Sequence, residues 1–347
     1  MLRSLLSARS FFRDPVGYAR AHGQDGAALR LAAGPSRFVV VRDPQAIWRV
    51  LVTDAESFRP GKWKRRARRF LGDTLNTLDG EEHRQRRLLL QPSLDRRHIA
   101  RFEPSIAARV ERAQARWADG ARIRLRDELD RLSLGAAGEV LLSTELEPDL
   151  AEALARVMSS VPRLTPPLRG TRQARALRAV EESVSALVAE RRRSVSDEDD
   201  LLAALLRSGL PELTVRGEVI AFLLATVDEP PSALEAAWYL LARNPAADER
   251  MHAELADGNL EYLEAVLRET LRLFPPARHI DRCPVADGRT NVVVSPIVTH
   301  HDARLYESPS EFVPSAGCAG RSARAAPTCP SAQAPTRASA RRSRGRS

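Results

Sequence analysis

Apolar residues recur every three or four positions along most of this chain, the spacing of helices that bury one face. Stretches 44–53, 81–94, 97–118, 125–142, 173–194 and 246–256 follow that rhythm, as does a longer one over 215–244. Residues 264–274 repeat it and stop at Pro275-Pro276, which cannot continue a helix. Two short runs, 28–33 and 38–41, and the valines of Asn291-Val-Val-Val-Ser-Pro296 read as strands instead. The proline-rich segment 161–167 marks a break, and the acidic run Asp197 to Asp200 reads as a solvated helix start, since acids favour that end. There is no internal repeat. The pattern predicts a mostly α protein with small β-sheets (α+β), in a chain of 347 residues long enough to bury one large core or two.

Within 264–276, EAVLRETLRLFPP, Glu269 and Arg272 stand one turn apart and face the same way, so they can pair. Leu267, Leu271 and Phe274 recur at helical spacing around them, which predicts a partly or wholly buried ion pair. Such a pair is costly unless its remaining hydrogen-bonding groups are satisfied, and so has a structural duty. The plainer reading is a surface pair on an amphipathic helix.

The residues downstream change the weight of that helix. Asn291 to Pro296 are followed by His300-His301-Asp302 and by Pro309-Ser-Glu-Phe312-Val-Pro314. In this order and spacing the chain resembles the cytochrome P450 family of haem-thiolate monooxygenases. That family has a Glu-x-x-Arg helix, a strand ending in Ser-Pro, a His-Arg-Asp stretch and a Pro-x-x-Phe-x-Pro-Glu-Arg loop. The resemblance implies a mostly helical fold with haem b as cofactor, and residues 1–314 as a P450-like domain. It also implies a small organic substrate and a ferredoxin or flavin reductase as electron donor.

Upstream, Asp79-Gly80-Glu81-Glu82-His83 with Arg87 resembles the family's Asp-Gly-x-x-His-x-x-x-Arg. The resemblance assigns His83 and Arg87, which share a helix face at i and i+4, to the haem propionates. A solvated basic face shared with Arg84 and Arg86 is the alternative. Arg282 matches a further propionate-holding position, against the alternative of a strand-edge arginine. The segment 215–244 resembles the helix that crosses the oxygen-binding face of the haem, with Trp238 to Pro245 matching its C-terminal half. Its centre departs from the family's Ala-Gly-x-Asp/Glu-Thr: here stand Thr226-Val227-Asp228-Glu229-Pro230-Pro231-Ser232. Asp228 or Glu229 is the candidate acid and Thr226 or Ser232 the hydroxyl, and two prolines should break or kink the helix there. Region 58–74, with the basic run 62–69, resembles the variable substrate-access loop. Its charge reads as a solvated face, or as one that docks an acidic electron donor.

The family's axial ligand is a cysteine in Phe-x-x-Gly-x-x-x-Cys-x-Gly, whose thiolate favours O–O cleavage. The three cysteines here are Cys283, Cys318 and Cys329. Neither Cys318 nor Cys329 has the motif around it, and Cys283, in a strand, reads as a small core residue. From Ser315 onward the chain holds no acid, no aromatic and no aliphatic side chain larger than Ala, a composition that predicts a disordered tail. We read this tail as out of frame. Codons for Glu-Arg-Trp, GAG-CGC-TGG, with the first base lost give Ser-Ala-Gly, the residues at 315–317. The same shift permits the missing cysteine motif over 331–340, with Cys where Ala338 stands. The resemblance therefore implies a monooxygenase that is inactive as written. The alternative is a non-catalytic P450-like remnant or binding protein.

Charge adds little to this. The net +9 includes seven arginines of the tail, leaving the body near neutral, so nucleic-acid binding is not expected. No apolar run reaches the length of a membrane span, residues 1–12 are too short and basic for a signal peptide, and the cysteines follow no disulfide pattern. The expectation is a cytoplasmic protein that binds neither membrane nor nucleic acid.

Overall fold

The five strands among the described residues gather in one sheet although they lie towards opposite ends of the sequence. The computed structural model describes residues 2–23, 26–33, 36–160, 171–194 and 198–314. The proline-rich 161–167, Asp197 and the tail from 315, with Cys318 and Cys329, lie outside them. Two compact units are formed, one from residues up to 59 together with those from 278 onward, the other from 60 to 277.

In the first unit the strands are β1 (Ala28–Ala33), β2 (Ser36–Val41), β3 (Phe58–Pro60), β4 (Ile280–Pro284) and β5 (Thr290–Val294), in sheet order β1-β2-β5-β4-β3. β1 and β2 pair antiparallel, β2 runs parallel to β5 with Val41 opposite Val294, and β4 returns antiparallel to β5. Asn291 through Val294 are all buried, and Val292 to Val294 form the continuous apolar run expected of a strand covered on both faces. Val41, Ile47, Val50, Val292 and Val294 form the core beneath. Helix Leu2–Arg13 sends Phe11 and Phe12 against the ring of His279 at 5.8 and 5.2 Å. Burial there, with Arg278 beside it, lowers the His279 pKa to about 4, since a desolvated imidazole resists taking up charge.

The second unit is helical. Helices Leu125–Leu142, Pro148–Ser160, Arg172–Arg193, Leu201–Arg207 and Glu212–Thr226 converge on a core centred on Leu154, Val180, Val184, Leu201, Leu205, Val219 and Leu223, none with any exposed surface. Each such side chain contributes about 1.5–3 kcal/mol by burial. Arg191 donates to the Leu142 carbonyl, satisfying the C-terminal end of helix Leu125–Leu142. Asp200 caps the next helix. It accepts from the Ala203 amide at 2.7 Å on Oδ1, and Arg191 reaches its Oδ2 at 2.8 Å. The acidic run is therefore solvated at Glu198 and Asp199 but not at Asp200, which is 1 % exposed because Arg191 neutralises it.

Helical stretches expected from periodicity lie where helices form, with local corrections. Stretch 125–142 forms end to end; 81–94 becomes Gly80–Leu90 plus a 3-10 turn at Pro92; 97–118 divides into Arg96–Ala100 and Glu103–Gln114. Region 58–74, expected as a loop, holds helix Lys62–Leu71, because long-stemmed Lys and Arg are good helix formers even where they bury nothing. No helix among the described residues is long and apolar enough to cross a membrane.

Candidate functional site

Helix Gly80–Leu90 divides its basic residues between two directions. Arg84 stays outside, gripping Glu81 with Nε to Oε2 and Nη2 to Oε1, both at 2.7 Å. His83 is half-buried and Arg87 exposed, one turn apart on one face. Arg86 turns inward, its side chain 10 % exposed, and pairs with Glu218 of helix Glu212–Thr226. The same Glu218 oxygen, Oε1, accepts the Leu75 amide at 2.8 Å, while Oε2 is buried without a hydrogen-bond partner. Burial raises the Glu218 pKa and outweighs the Leu75 amide and Arg86, which hold it down. Desolvation of the charged form is the cause. The adjacent Gly217 is required by close packing: a Cβ there would lie 2.3 Å from the Leu71 carbonyl oxygen. Arg84 and Arg87 are thus exposed, whereas Arg86 turns inward to meet a buried carboxylate.

The long central helix breaks where the prolines stand. Helix Glu212–Thr226 ends at Val227, and helix Glu229–Arg243 starts with Pro230 and Pro231 in its first turn, where a missing N–H costs nothing. Thr226, Asp228 and Glu229 flank the break. The Thr226 hydroxyl donates to the Phe222 carbonyl at 2.9 Å, inside its own helix. Although more than a third of Glu229 is exposed, the protein packed around its carboxyl, with Asp228 next to it, raises its pKa. Both causes disfavour the ionised form. Arg126 closes the gap from outside. Its guanidinium donates to the Val227 carbonyl at 3.0 Å and to Ser232 Oγ at 3.1 Å, and Asp130 accepts from its Nε at 2.8 Å. Arg126 lies 101 residues from Val227, so no local pattern marks it.

Helix Glu261–Leu273 carries the expected ion pair. Arg272 grips Glu269 with two parallel hydrogen bonds, Nε to Oε2 at 2.8 Å and Nη2 to Oε1 at 2.7 Å, the fork geometry that guanidinium and carboxylate share. Both side chains are nearly buried, at 5 % and 11 % exposure. The apolar residues that bury them are not those expected. Tyr262, Ala265, Val266 and Leu273 are buried, whereas Leu267, Leu271 and Phe274 are 36–44 % exposed. At about 100° per residue the latter three project opposite to Glu269.

On β4, Arg282 is half-buried, and its Nη1 donates to the Asp281 carbonyl at 3.2 Å. Burial lowers its pKa against the opposing pull of Asp281. Cys283 beside it is fully buried, its sulfur 3.8 Å from the Pro284 carbonyl oxygen, which makes it the core residue expected. Tested against haem b, the described residues divide. Arg87 and the desolvated Arg282 present guanidinium groups with no carboxylate bonded to them, the donors that propionates require. The iron requires a thiolate, and Cys283, enclosed in a strand, is the one cysteine among the described residues. No group of three or more metal-ligating side chains occurs among those residues.

Comparisons with known proteins identify the architecture. The cytochrome P450 family model matches residues 15–315. Cyclooctat-9-en-7-ol 5-monooxygenase of Streptomyces melanosporofaciens is 27 % identical over 88 % of this chain and 75 % of its own length. Pentalenene oxygenase of Streptomyces avermitilis is 26 % identical over 88 % and 77 %. Among solved structures, retinoic acid-bound cyanobacterial CYP120A1 superposes with a TM-score of 0.80 at 22 % identity, covering 88 % of this chain and 77 % of that one. CYP175A1 from Thermus thermophilus gives 0.72 at 23 %, covering 89 % and 78 %. These two show the same fold. The family match, running through helix Gly80–Leu90, the broken central helix, the Glu269–Arg272 pair and the strand of Arg282, places this chain in the cytochrome P450 family.

Proposed function

We propose that this chain is the body of a monooxygenase that oxygenates a small cyclic alkene or alkenol, and that it is inactive as written. The reading rests on the match over 88 % of the chain to two Streptomyces oxygenases named for such substrates. When bound, haem b supplies the insertion of one oxygen atom from dioxygen into the substrate. By the family resemblance, His83 and Arg87 on helix Gly80–Leu90, and Arg282 on β4, would be the residues to hold the haem propionates by charge-assisted hydrogen bonds. Asp228 or Glu229 is the acid at the break in the central helix, with Thr226 or Ser232 as the hydroxyl, and Arg126 fixes that break by its bonds to Val227 and Ser232. A carboxyl whose pKa is raised, as at Glu229, keeps its proton more readily than an ordinary carboxylate and is the better suited to donate it. The basic helix Lys62–Leu71, exposed at Arg65, Arg68 and Arg69, supports docking of an acidic ferredoxin or flavin reductase in the cytoplasm.

The reading of inactivity rests on the sequence beyond Pro314: the family match ends at residue 315, and neither Cys318 nor Cys329 stands in the thiolate motif. The test is the nucleotide sequence at the Pro314 codon, then expression with the frame restored and a reduced carbon monoxide difference spectrum. A restored cysteine motif with a thiolate-type Soret band, followed by turnover of cyclic alkenes, supports the reading. An intact frame, in a purified chain that binds no haem, selects the non-catalytic alternative.

A further inference from the structure

We propose that the first unit contains a binding site for a small organic carboxylate with an apolar body, separate from any haem chemistry. The site is a cavity of about 370 Å³, within the size range of small-molecule sites. One part of its wall is apolar, formed by Val16, Ala19, Val298 and Pro309. The other part is charged and unbalanced: Arg20, Arg42 and Arg304 face it with a single carboxylate, Asp302.

Asp302 is already shared. It accepts Arg42 Nη2 at 2.9 Å and Arg304 Nη2 at 2.6 Å, both on Oδ2, and Arg304 Nε at 2.9 Å on Oδ1. Arg42 is 6 % exposed, and after its bonds to Asp302 and to the Gly23 carbonyl its Nε is left buried without an acceptor. Gly23 is fitted to this arrangement, since a Cβ there would lie 2.2 Å from Arg42 Nη1 and only glycine leaves that space free. Arg20 is exposed at the rim and donates to Ser310 Oγ at 2.5 Å, a neutral partner. Among the described residues the wall thus carries three guanidinium groups and His301 against one carboxylate, and guanidinium groups match a planar carboxylate in bidentate fashion. A ligand with one carboxylate and a short hydrocarbon body satisfies both halves of the wall.

The experiment uses the full 347-residue chain and titrates hexanoate, with inorganic phosphate in a parallel arm, by calorimetry and thermal shift. Two variants accompany it: Arg20→Ala, which removes the rim cation, and Ala303→Glu, which places a carboxylate on the cavity wall. Circular dichroism verifies that both are folded. The expected result is saturable hexanoate binding, weakened roughly tenfold by Arg20→Ala, as for loss of one charge-assisted hydrogen bond, and abolished by Ala303→Glu. Phosphate binding as tight as hexanoate, with the same response to the variants, would overturn the carboxylate assignment. No binding to the wild-type chain, or binding that neither variant alters, would overturn the site itself.

Discussion

Two buried carboxylates of the helical unit illustrate how differently the same chemistry can be housed. Glu269 is met by an arginine three residues along its own helix, and both of its oxygens accept from that one guanidinium. Glu218 is met by Arg86 from another helix, 132 residues away, and only one of its oxygens is satisfied. The first pair closes a two-bond fork within one turn of backbone. The second binds helix Gly80–Leu90 and the Leu75 amide to the central helix and leaves an acceptor unfilled. A buried ion pair offsets its desolvation only when the remaining lone pairs find donors. By that measure Glu269–Arg272 is the settled pair, and Glu218–Arg86 retains a cost in exchange for joining distant segments.

The largest effect should follow from removing the partner of the less satisfied carboxylate. Glu218 has no exposed surface. Arg86→Met leaves it without a cation and should cost about 3–5 kcal/mol in chemical denaturation. The loss should shrink in acid, where Glu218 takes up a proton. Adding Glu218→Leu to the same chain should recover most of it. A denaturation midpoint unchanged by Arg86→Met would mean that Arg86 and Glu218 do not pair in solution. Next in size, Glu269→Gln puts an amide N–H₂ against one arm of the Arg272 fork and should cost about 2–3 kcal/mol. A smaller loss than that would undo the contrast drawn between the two pairs.

These pairs also mark what the sequence can and cannot reveal. Glu269–Arg272 is legible because both members lie in one turn, and the proline-bounded helix around them is a local pattern. Even there the buried face is not: leucine spacing alone points to Leu267 and Leu271, when the angular position of Glu269 matches that of Tyr262, Val266 and Leu273. The break at Asp228 is legible because proline acts on its own backbone. Arg86–Glu218, Arg126–Val227 and the parallel pairing of β2 with β5 are not, since each joins segments a hundred or more residues apart. In the run His83-Arg84-Gln85-Arg86-Arg87, composition shows a basic face, but only the neighbouring helix decides which arginine turns inward. The motifs that carry the family resemblance are readable because they are short, ordered along the chain and mostly confined to single elements.

A subtler distinction lies in pH. Burial raises the folded pKa of Glu218 above its ordinary 4.5, so between that value and the raised one the native state holds more proton than the unfolded chain. Stability from this group must therefore fall as pH rises through that window, and level off below the ordinary value, where both states are protonated. Replacing it by Gln should flatten this part of the profile, measured as denaturation midpoints from about pH 4 to 8. A wild-type profile that rises across the window by the amount Glu218→Gln removes would reverse the sign of the shift.

The smallest effect belongs to a third pair, on the same helix as Glu269–Arg272. Glu264 and Arg268 stand at i and i+4 with the acid N-terminal, the favourable orientation. They are bonded, yet their side chains are 60 % and 58 % exposed. Water already solvates both partners, and holding two long side chains in one geometry uses up much of the attraction. Arg268→Ala should therefore cost about 0.3–0.5 kcal/mol, a loss that fades in about 1 M salt, where the screening length is only ~3 Å. The loss from Glu269→Gln should persist in the same salt, because few ions can approach a bidentate pair with 5 % and 11 % exposure. Equal salt sensitivity in the two variants would mean that the Glu269 pair is open to solvent, and the distinction between the pairs would then rest on position in the helix rather than on burial.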